Sequence, residues 1–210
     1  MPVMLAPPEQ RVLLHNVSWE TYERLIAESV NCVGTRFTYN SGDLEIITVS
    51  MEHEHVNRTL AMLIEIVAEE TGKSVLRTGS ATFRRQDLSK GFEPDSGFYI
   101  QHARQMQGRM ELDPAVDPPP DLVIEVDIIR SSLDRFAIFA AVGVPEVWRY
   151  DGERVAFHAL NDASYVESGL SAALPPLTAE QAGDFVKESL REDSLVWVRR
   201  VREWVRARAK

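Results

Sequence analysis

The sequence predicts an α+β fold of the α/β type: a mixed β-sheet flanked by helices, with a helix and a hairpin ahead of it and helices behind. Three observations carry this prediction. Residues 51–71 place Val56, Leu60, Leu63, Ile64 and Val67 on one stripe, and Gly72 follows as a stop, which together describe a long amphipathic helix. Two hairpin signals flank that region, one around Asn40-Ser-Gly-Asp43 and one around Asp151-Gly152. Leu122-Val-Ile-Glu-Val126 is apolar at every position but one, as in a strand buried on both faces.

Each element has its own reason. Ser18 is a good N-cap for a first helix over 18–29, where Trp19, Tyr22, Leu25 and Ile26 share a face. Strands 36–39 and 44–49 surround the first turn. Ser50 caps the long helix, and Glu52 and Glu54 suit the positive end of its dipole. Strands are expected at 74–77, 81–84 and 96–100. Residues 101–120 contain no clear strand and end in Asp117-Pro-Pro-Pro120, which reads as an exposed connection because proline blocks both a helix interior and a central strand. Ser131-Ser-Leu-Asp134 fits a capping box for a helix over 132–142, stopped by Gly143 with Pro145 beyond. Strands 146–150 and 154–160 form the second hairpin, and 165–167 adds a short third strand. Helices are expected from about 178 to 187 and from about 193 to 208.

The 210 residues suffice for one domain with a sizeable core, and no boundary or internal repeat divides them. We therefore expect a single domain over 1–210, with its core at about 40–160 and a C-terminal helical extension at about 177–210. No apolar run approaches the roughly 20 residues that cross a bilayer, so no membrane partner is expected. The opening MPVMLAPPEQRVLL has Pro and Glu where a secretion signal needs a basic start and an unbroken apolar stretch, so the cytoplasm is the expected location. One cysteine, Cys32, excludes an internal disulfide framework and a Cys-rich zinc site, and it reads as an inert, partly buried thiol. The net charge of −9 argues against general adhesion to nucleic acid, although residues 191–210 carry seven basic and three acidic side chains.

The chemistry concentrates in acids at the edges of apolar runs. Asp95 precedes Ser-Gly-Phe-Tyr-Ile, and Glu125 and Asp127 close the apolar run that begins at Leu122. A carboxylate in such a place is costly without a partner. Glu125 and Asp127 are two apart on a strand and face one side. If the strand after Asp95 lies beside them, Asp95 and Glu125 can share a hard cation, Mg²⁺ or Mn²⁺, suited to phosphodiester chemistry. The competing reading gives these acids only turn and strand-end roles. Arg135 lies between Ile138 and Phe139 on a helix that is apolar nearly all round, so its guanidinium wants carboxylate partners. It can serve as a structural salt bridge or as a cation beside a phosphate.

These residues resemble the Uma-two family of restriction-endonuclease-like proteins, within the PD-(D/E)XK nuclease superfamily. The resemblance is carried by Gly42-Asp-Leu-Glu-Ile46, Glu52-His53, Pro94-Asp95, Pro120-Asp-Leu-Val-Ile-Glu-Val-Asp127, Ser131-Ser132 and Gly143-Val-Pro-Glu-Val-Trp-Arg-Tyr150. It implies a restriction-endonuclease-like core of helix, three strands, helix and strand, fitted here by 51–71, 81–84, 95–100, 122–127, 132–142 and 146–150. It implies Asp95 and Glu125 as metal-binding and catalytic acids, Mg²⁺ or Mn²⁺ as cofactor, DNA as partner and phosphodiester hydrolysis as the reaction. The superfamily's lysine, two places after the second acid, is Asp127 here, a neighbouring or auxiliary acid. In this family the lysine resides on the next helix, where this chain has Arg135. Glu52 is the matching candidate for an additional helix-borne acid, and His53 is a candidate ligand or hydrogen-bond partner, against the commoner structural role of such a histidine.

Arginine keeps the charge and the grip on phosphate but cannot act as a general base. A metal-dependent endonuclease is thus the leading expectation, and a weakened or inactive nuclease fold acting as a binding or assembly module is the alternative. On the last helix, Trp197, Val201, Trp204 and Val205 form an apolar stripe amid arginines. Packing on the parent domain or on a second copy is the main reading, with DNA-backbone and membrane-surface contact behind it. A homodimer is attractive because cutting a duplex often takes two sites.

Overall fold

A computed structural model of the protein describes residues 9–29, 32, 34–113, 116–129 and 133–208. Strand β1 (Gln10–Leu14), helix α1 (Trp19–Glu28) and strands β2 (Thr35–Asn40) and β3 (Asp43–Thr48) come first. Helix α2 (Met51–Glu70) follows, then β4 (Leu76–Gly79), β5 (Phe83–Arg85), β6 (Lys90–Phe92) and β7 (Ser96–Tyr99). The short α3 (Ala103–Met106) precedes β8 (Leu122–Val126), α4 (Arg135–Val142), β9 (Glu146–Tyr150), β10 (Val155–Asn161) and β11 (Ser164–Ser168). Helices α5 (Ala179–Ser189) and α6 (Ser194–Arg206) complete the described chain.

The strands form two sheets. The first has the order β1-β3-β2-β6-β5 and is antiparallel throughout. The second has the order β11-β10-β9-β8-β7-β4, with β8 and β9 parallel and its other pairs antiparallel. Helix α4 makes the crossover that a parallel pair needs. This is the expected α+β architecture, a mixed sheet flanked by helices. The β2–β3 turn follows from its two loop residues: Ser41 and Gly42 both have positive φ, 50° and 104°, the backbone of the tight turns that suit strand twist.

Alternation along β8 and β9 assigns the faces of the second sheet. Leu122, Ile124, Val126, Trp148 and Tyr150 pack with α2, α5 and α6. Val123 and Val147 face the other way, against Ile138 and Phe139 of α4 and Phe83 and Phe92 of the first sheet. The second sheet is therefore covered on both sides, and α4 and the first sheet approach the face from which Glu125 projects.

Several expectations change. Residues 81–84 do not supply a strand to the sheet of Asp95; β4 pairs with β7 instead, while β5 hairpins with β6 in the first sheet. The cause is local: Gly79 takes φ 58° at the end of β4 and turns the chain out of that sheet. Strand β1 was not legible as a strand. The 101–120 connection is not simply exposed, because Ala103 and Met106 are buried with Tyr99, and the Tyr99 hydroxyl donates to the Pro118 carbonyl at 2.7 Å. Cys32 is exposed rather than partly buried. Helix α4 starts at Arg135 with Asp134 as its N-cap, accepting from the Ala137 N–H at 3.2 Å, whereas Ser131 and Ser132 lie outside the described residues.

The C-terminal helix packs on its own chain. Trp197, Val201 and Val205 are buried, and the Trp197 indole donates to the Phe185 carbonyl at 2.8 Å. Arg202 and Arg206 pair with Glu69 and Glu70 at the end of α2, where acidic side chains otherwise oppose the helix dipole. Among the described residues, no helix is long and apolar enough to cross a membrane. The α5–α6 contact yields a direct prediction. Trp197→Ala removes a buried indole and its hydrogen bond, and should lower the unfolding free energy by about 3–5 kcal/mol in urea titrations. The same change at exposed Val166 should leave the midpoint almost unmoved.

Candidate active site

Strands β7 and β8 pair with Ser96 opposite Ile124, and one step further along the register Asp95 stands across from Glu125. Both residues are buried, at 5% and 4% exposure. The Asp95 Oδ2 accepts the Val126 N–H at 2.8 Å, which pins one acid to the strand that carries the other. Helix α2 fixes the start of β7 from the side. The Asn57 amide donates to the Asp95 carbonyl at 3.2 Å, and the Ser96 hydroxyl donates to the Asn57 amide oxygen at 2.8 Å. The two acids named from the sequence are thus brought together.

Arg135 completes the juxtaposition. Its Nη1 donates to Glu125 Oε2, and its Nη2 donates to the Thr38 hydroxyl of β2 at 2.7 Å. It is the first residue of α4, where a cation opposes the helix dipole. The carboxylates of Glu125, Asp95, Glu45 and Asp127 outweigh that penalty. Burial disfavours the charged guanidinium, but these acids raise its pKa above the ordinary value, so it stays charged.

His53 sits between two carboxylates. Its Nδ1 is 2.9 Å from Glu9 Oε2 and its Nε2 is 2.8 Å from Asp95 Oδ1. The second contact lies off the N–H axis, so it is an ion pair rather than an aligned hydrogen bond. Charge attraction depends on separation more than on direction, and it persists there. Burial works against the imidazolium, yet Asp95 and Glu9 together lift the pKa to about 9. With both nitrogens engaged, the ring is a hydrogen-bonding partner of Glu9 and an ion-pairing partner of Asp95.

The two acids titrate in opposite directions. Burial raises the Asp95 pKa, but His53, Arg135 and the Val126 N–H more than reverse this and hold it below the ordinary value. Burial also raises Glu125; Arg135 pulls it down, Asp95 and Asp127 push it up, and the outcome is about 8. Paired carboxylates split in this way when positive charge is short.

Asp127 is tied to Arg11 at 2.8 Å and to Arg149 at 2.6 Å. Glu52 is exposed at the head of α2, and its charge acts on Tyr150. Glu125, Asp127, Arg135 and Arg149 line a cleft of about 210 Å³ together with apolar Leu133 and Phe136. Sequence reading missed Glu9, Arg11, Thr38 and Glu45 as members of this site. Glu45 carried a usable signal, an acid inside the apolar run Leu44–Ile47, the same signal that exposed Glu125.

The fit to a cation can be judged from the donors. Glu125 Oε1 is buried without a hydrogen-bond partner among the described residues, and it lies beside a second acid. An orphaned carboxylate oxygen in such a pair fits a hard oxygen-seeking cation. No group of three His, Cys, Asp or Glu side chains among the described residues is arranged as a ready metal site.

The covered mixed sheet, with its acids at adjoining strands, defines a restriction-endonuclease-like fold. The family model Uma2, described as "Putative restriction endonuclease", matches residues 19–185, and the chain belongs to that family. No curated protein matches it.

The charge arrangement predicts how metal-free protein responds to pH. Between pH 6.5 and 9 the folded His53 retains a proton that the unfolded chain has released, so stability falls as pH rises through that window. The raised Glu125 acts in the same direction between pH 4.5 and 8. In excess chelator, denaturant titrations should show a loss of at most about 3 kcal/mol from His53 across its window. His53→Gln should flatten the upper part of that profile; an unchanged slope contradicts the assignment.

Proposed function

We propose that the protein is a divalent-metal-dependent endonuclease that hydrolyses DNA phosphodiester bonds, with Asp95 and Glu125 as the acids that hold Mg²⁺ or Mn²⁺. The observation that carries this reading is the buried Asp95–Glu125 pair, with an orphaned Glu125 oxygen and a guanidinium at the edge of a cleft. Membership of the Uma2 family supports DNA as the substrate. When bound, a divalent ion supplies polarisation of a phosphoryl oxygen and neutralisation of developing charge.

The protein's own residues have separable tasks. Asp95 is kept ionised by His53 and the Val126 N–H, ready to bind a cation. Arg135 lines the cleft and carries a permanent charge with a forked set of donors, matched to a phosphate. It contributes electrostatic stabilisation without proton abstraction. Asp127 is held by Arg11 and Arg149 as a neighbouring acid that sets the local field. Glu52, exposed at the head of α2, stays an auxiliary candidate to which this scheme assigns no step. Cutting both strands calls for two such sites, so a homodimer acting in the cytoplasm belongs to the same reading.

Plasmid nicking tests it. Supercoiled DNA should be relaxed with Mg²⁺ or Mn²⁺ and left intact with chelator. Asp95→Asn and Glu125→Gln should each lower the rate at least 100-fold while melting cooperatively. Cleavage indifferent to chelator or to both substitutions would falsify the proposal.

Arg135→Ala should reduce kcat by about 10²–10³-fold, the effect of losing one oriented charge donor. Arg135→Lys should retain cleavage. A second reading, a binding or assembly module on this fold, draws on the guanidinium itself, which cannot serve as a base. DNA binding without cutting by the wild type, with cutting gained only in Arg135→Lys, would select that reading.

A further inference from the structure

We infer that strand β1 is part of the working site: Glu9 and Arg11 are positioning residues that hold His53, Asp95 and Asp127 in place for the cation. This rests on the reading of Asp95 and Glu125 given above. Neither residue lies within the stretch matched by the family model, which begins ten residues after Glu9.

The face of β1 is the first observation. Gln10, Val12 and Leu14 point outward, leaving Val12 52% and Leu14 39% exposed. Arg11 points inward, and its side chain is only 8% exposed. Leu13 shares the inward face, but a strand selected for sheet stability alone would not give the neighbouring inward place to an arginine while leaving Val12 and Leu14 outside. An inward arginine of this kind is expected where a functional constraint overrides the local rule.

The contacts made by that inward face are the second observation. Glu9 lies two residues before Arg11 on the same side, and its side chain is 2% exposed. One Glu9 oxygen meets His53 Nδ1 at 2.9 Å, and the other accepts from Arg11 Nε at 3.0 Å. Arg11 also reaches Glu45 Oε2 at 3.3 Å and Asp127 Oδ1 at 2.8 Å. A single guanidinium thus joins β1, β3 and the end of β8.

Glu9, His53 and Asp95 form a continuous carboxylate–imidazole–carboxylate chain that ends on a proposed metal acid. Glu9 orients the ring through a hydrogen bond, and the ring holds its charge 2.8 Å from Asp95. Outer partners of this kind affect metal affinity or activity by 10–100-fold when removed. Arg11 does for Asp127 what Glu9 does for His53.

The experiment compares wild type, Glu9→Gln, Arg11→Met and the control Val12→Thr. Mn²⁺ affinity is measured by titration calorimetry, kcat and KM by plasmid nicking, and the fold by thermal melting. Glu9→Gln and Arg11→Met should weaken Mn²⁺ binding by about 10–100-fold and depress kcat more than they change KM. Val12→Thr should leave both unchanged, and Arg11→Lys should recover part of the loss. Mn²⁺ affinity and kcat within twofold of wild type in cooperatively folded Glu9→Gln and Arg11→Met overturn the proposal.

Where Glu9→Gln melts too low for assay, Glu9→Asp, which keeps the charge but shortens the reach, is read by the same criteria. Wild type that neither binds Mn²⁺ nor nicks DNA defeats the endonuclease reading instead. The positioning role is then decided by the ¹³C resonance of the Asp95 carboxyl group. A shift on Glu9→Gln supports the role, and an unmoved resonance overturns it.

Discussion

The carboxylates of Glu9, Glu45, Asp95, Glu125 and Asp127 share one region because Arg11, His53 and Arg135 stand among them. Taking a single carboxylate out of water costs several kcal/mol, and only close opposite charge with hydrogen bonds offsets this. The cations are therefore conditions of folding, whatever else they do. Arg149 adds positive charge at the rim through Asp127. Glu125 remains the least compensated of these acids: burial, with Asp95 and Asp127 beside it, raises its pKa despite Arg135, and one of its oxygens is orphaned. An added cation would relieve the place where the protein's own balance is weakest.

This electrostatic requirement explains why two sheets meet where they do. The second sheet alone supplies Asp95 and Glu125 on adjoining strands. Of the balancing charges it supplies only Arg149, at the rim. Arg11 arrives on β1, the Thr38 hydroxyl that orients Arg135 arrives on β2, and His53 arrives on the first turn of α2. Ser50 caps that turn by accepting the His53 N–H at 3.1 Å, so helix initiation and ring placement are one event. The apolar contact of Phe83 and Phe92 with Phe139 then holds the first sheet against α4, close enough for Thr38 to reach Arg135.

The parts of this arrangement legible in the sequence were those with a local signature. The stripe of α2, the turn at Ser41-Gly42, the buried run of β8 and the acids interrupting it all depend on residues close in the chain. The pairing of Arg135 with an acid was legible as well, because a permanently charged group on an apolar helix must find a partner. Placement of β5 was not legible, since it depends on the left-handed backbone at Gly79 and on packing against the other sheet. Glu9 carried no local mark at all. An acid ahead of a five-residue edge strand reads as ordinary surface, and its burial follows only from the long-range meeting with His53.

Arg135 gives the site its particular character. Its two terminal nitrogens bind Glu125 and Thr38, while its Nε is buried without a partner among the described residues. A guanidinium has five N–H donors in a fixed plane, so these bonds do not exhaust it. Lysine at the same place would offer a compact charge on a flexible stem and could release a proton when desolvated. Arginine can do neither, and the surrounding acids make deprotonation harder still. Its contribution to any reaction in the cleft is therefore a fixed positive charge with fixed donor directions, aligned before substrate arrives. On the proposed reading such a site would work through preorganised electrostatics rather than through a proton relay at Arg135, and its accuracy would depend on the contacts that hold the guanidinium still.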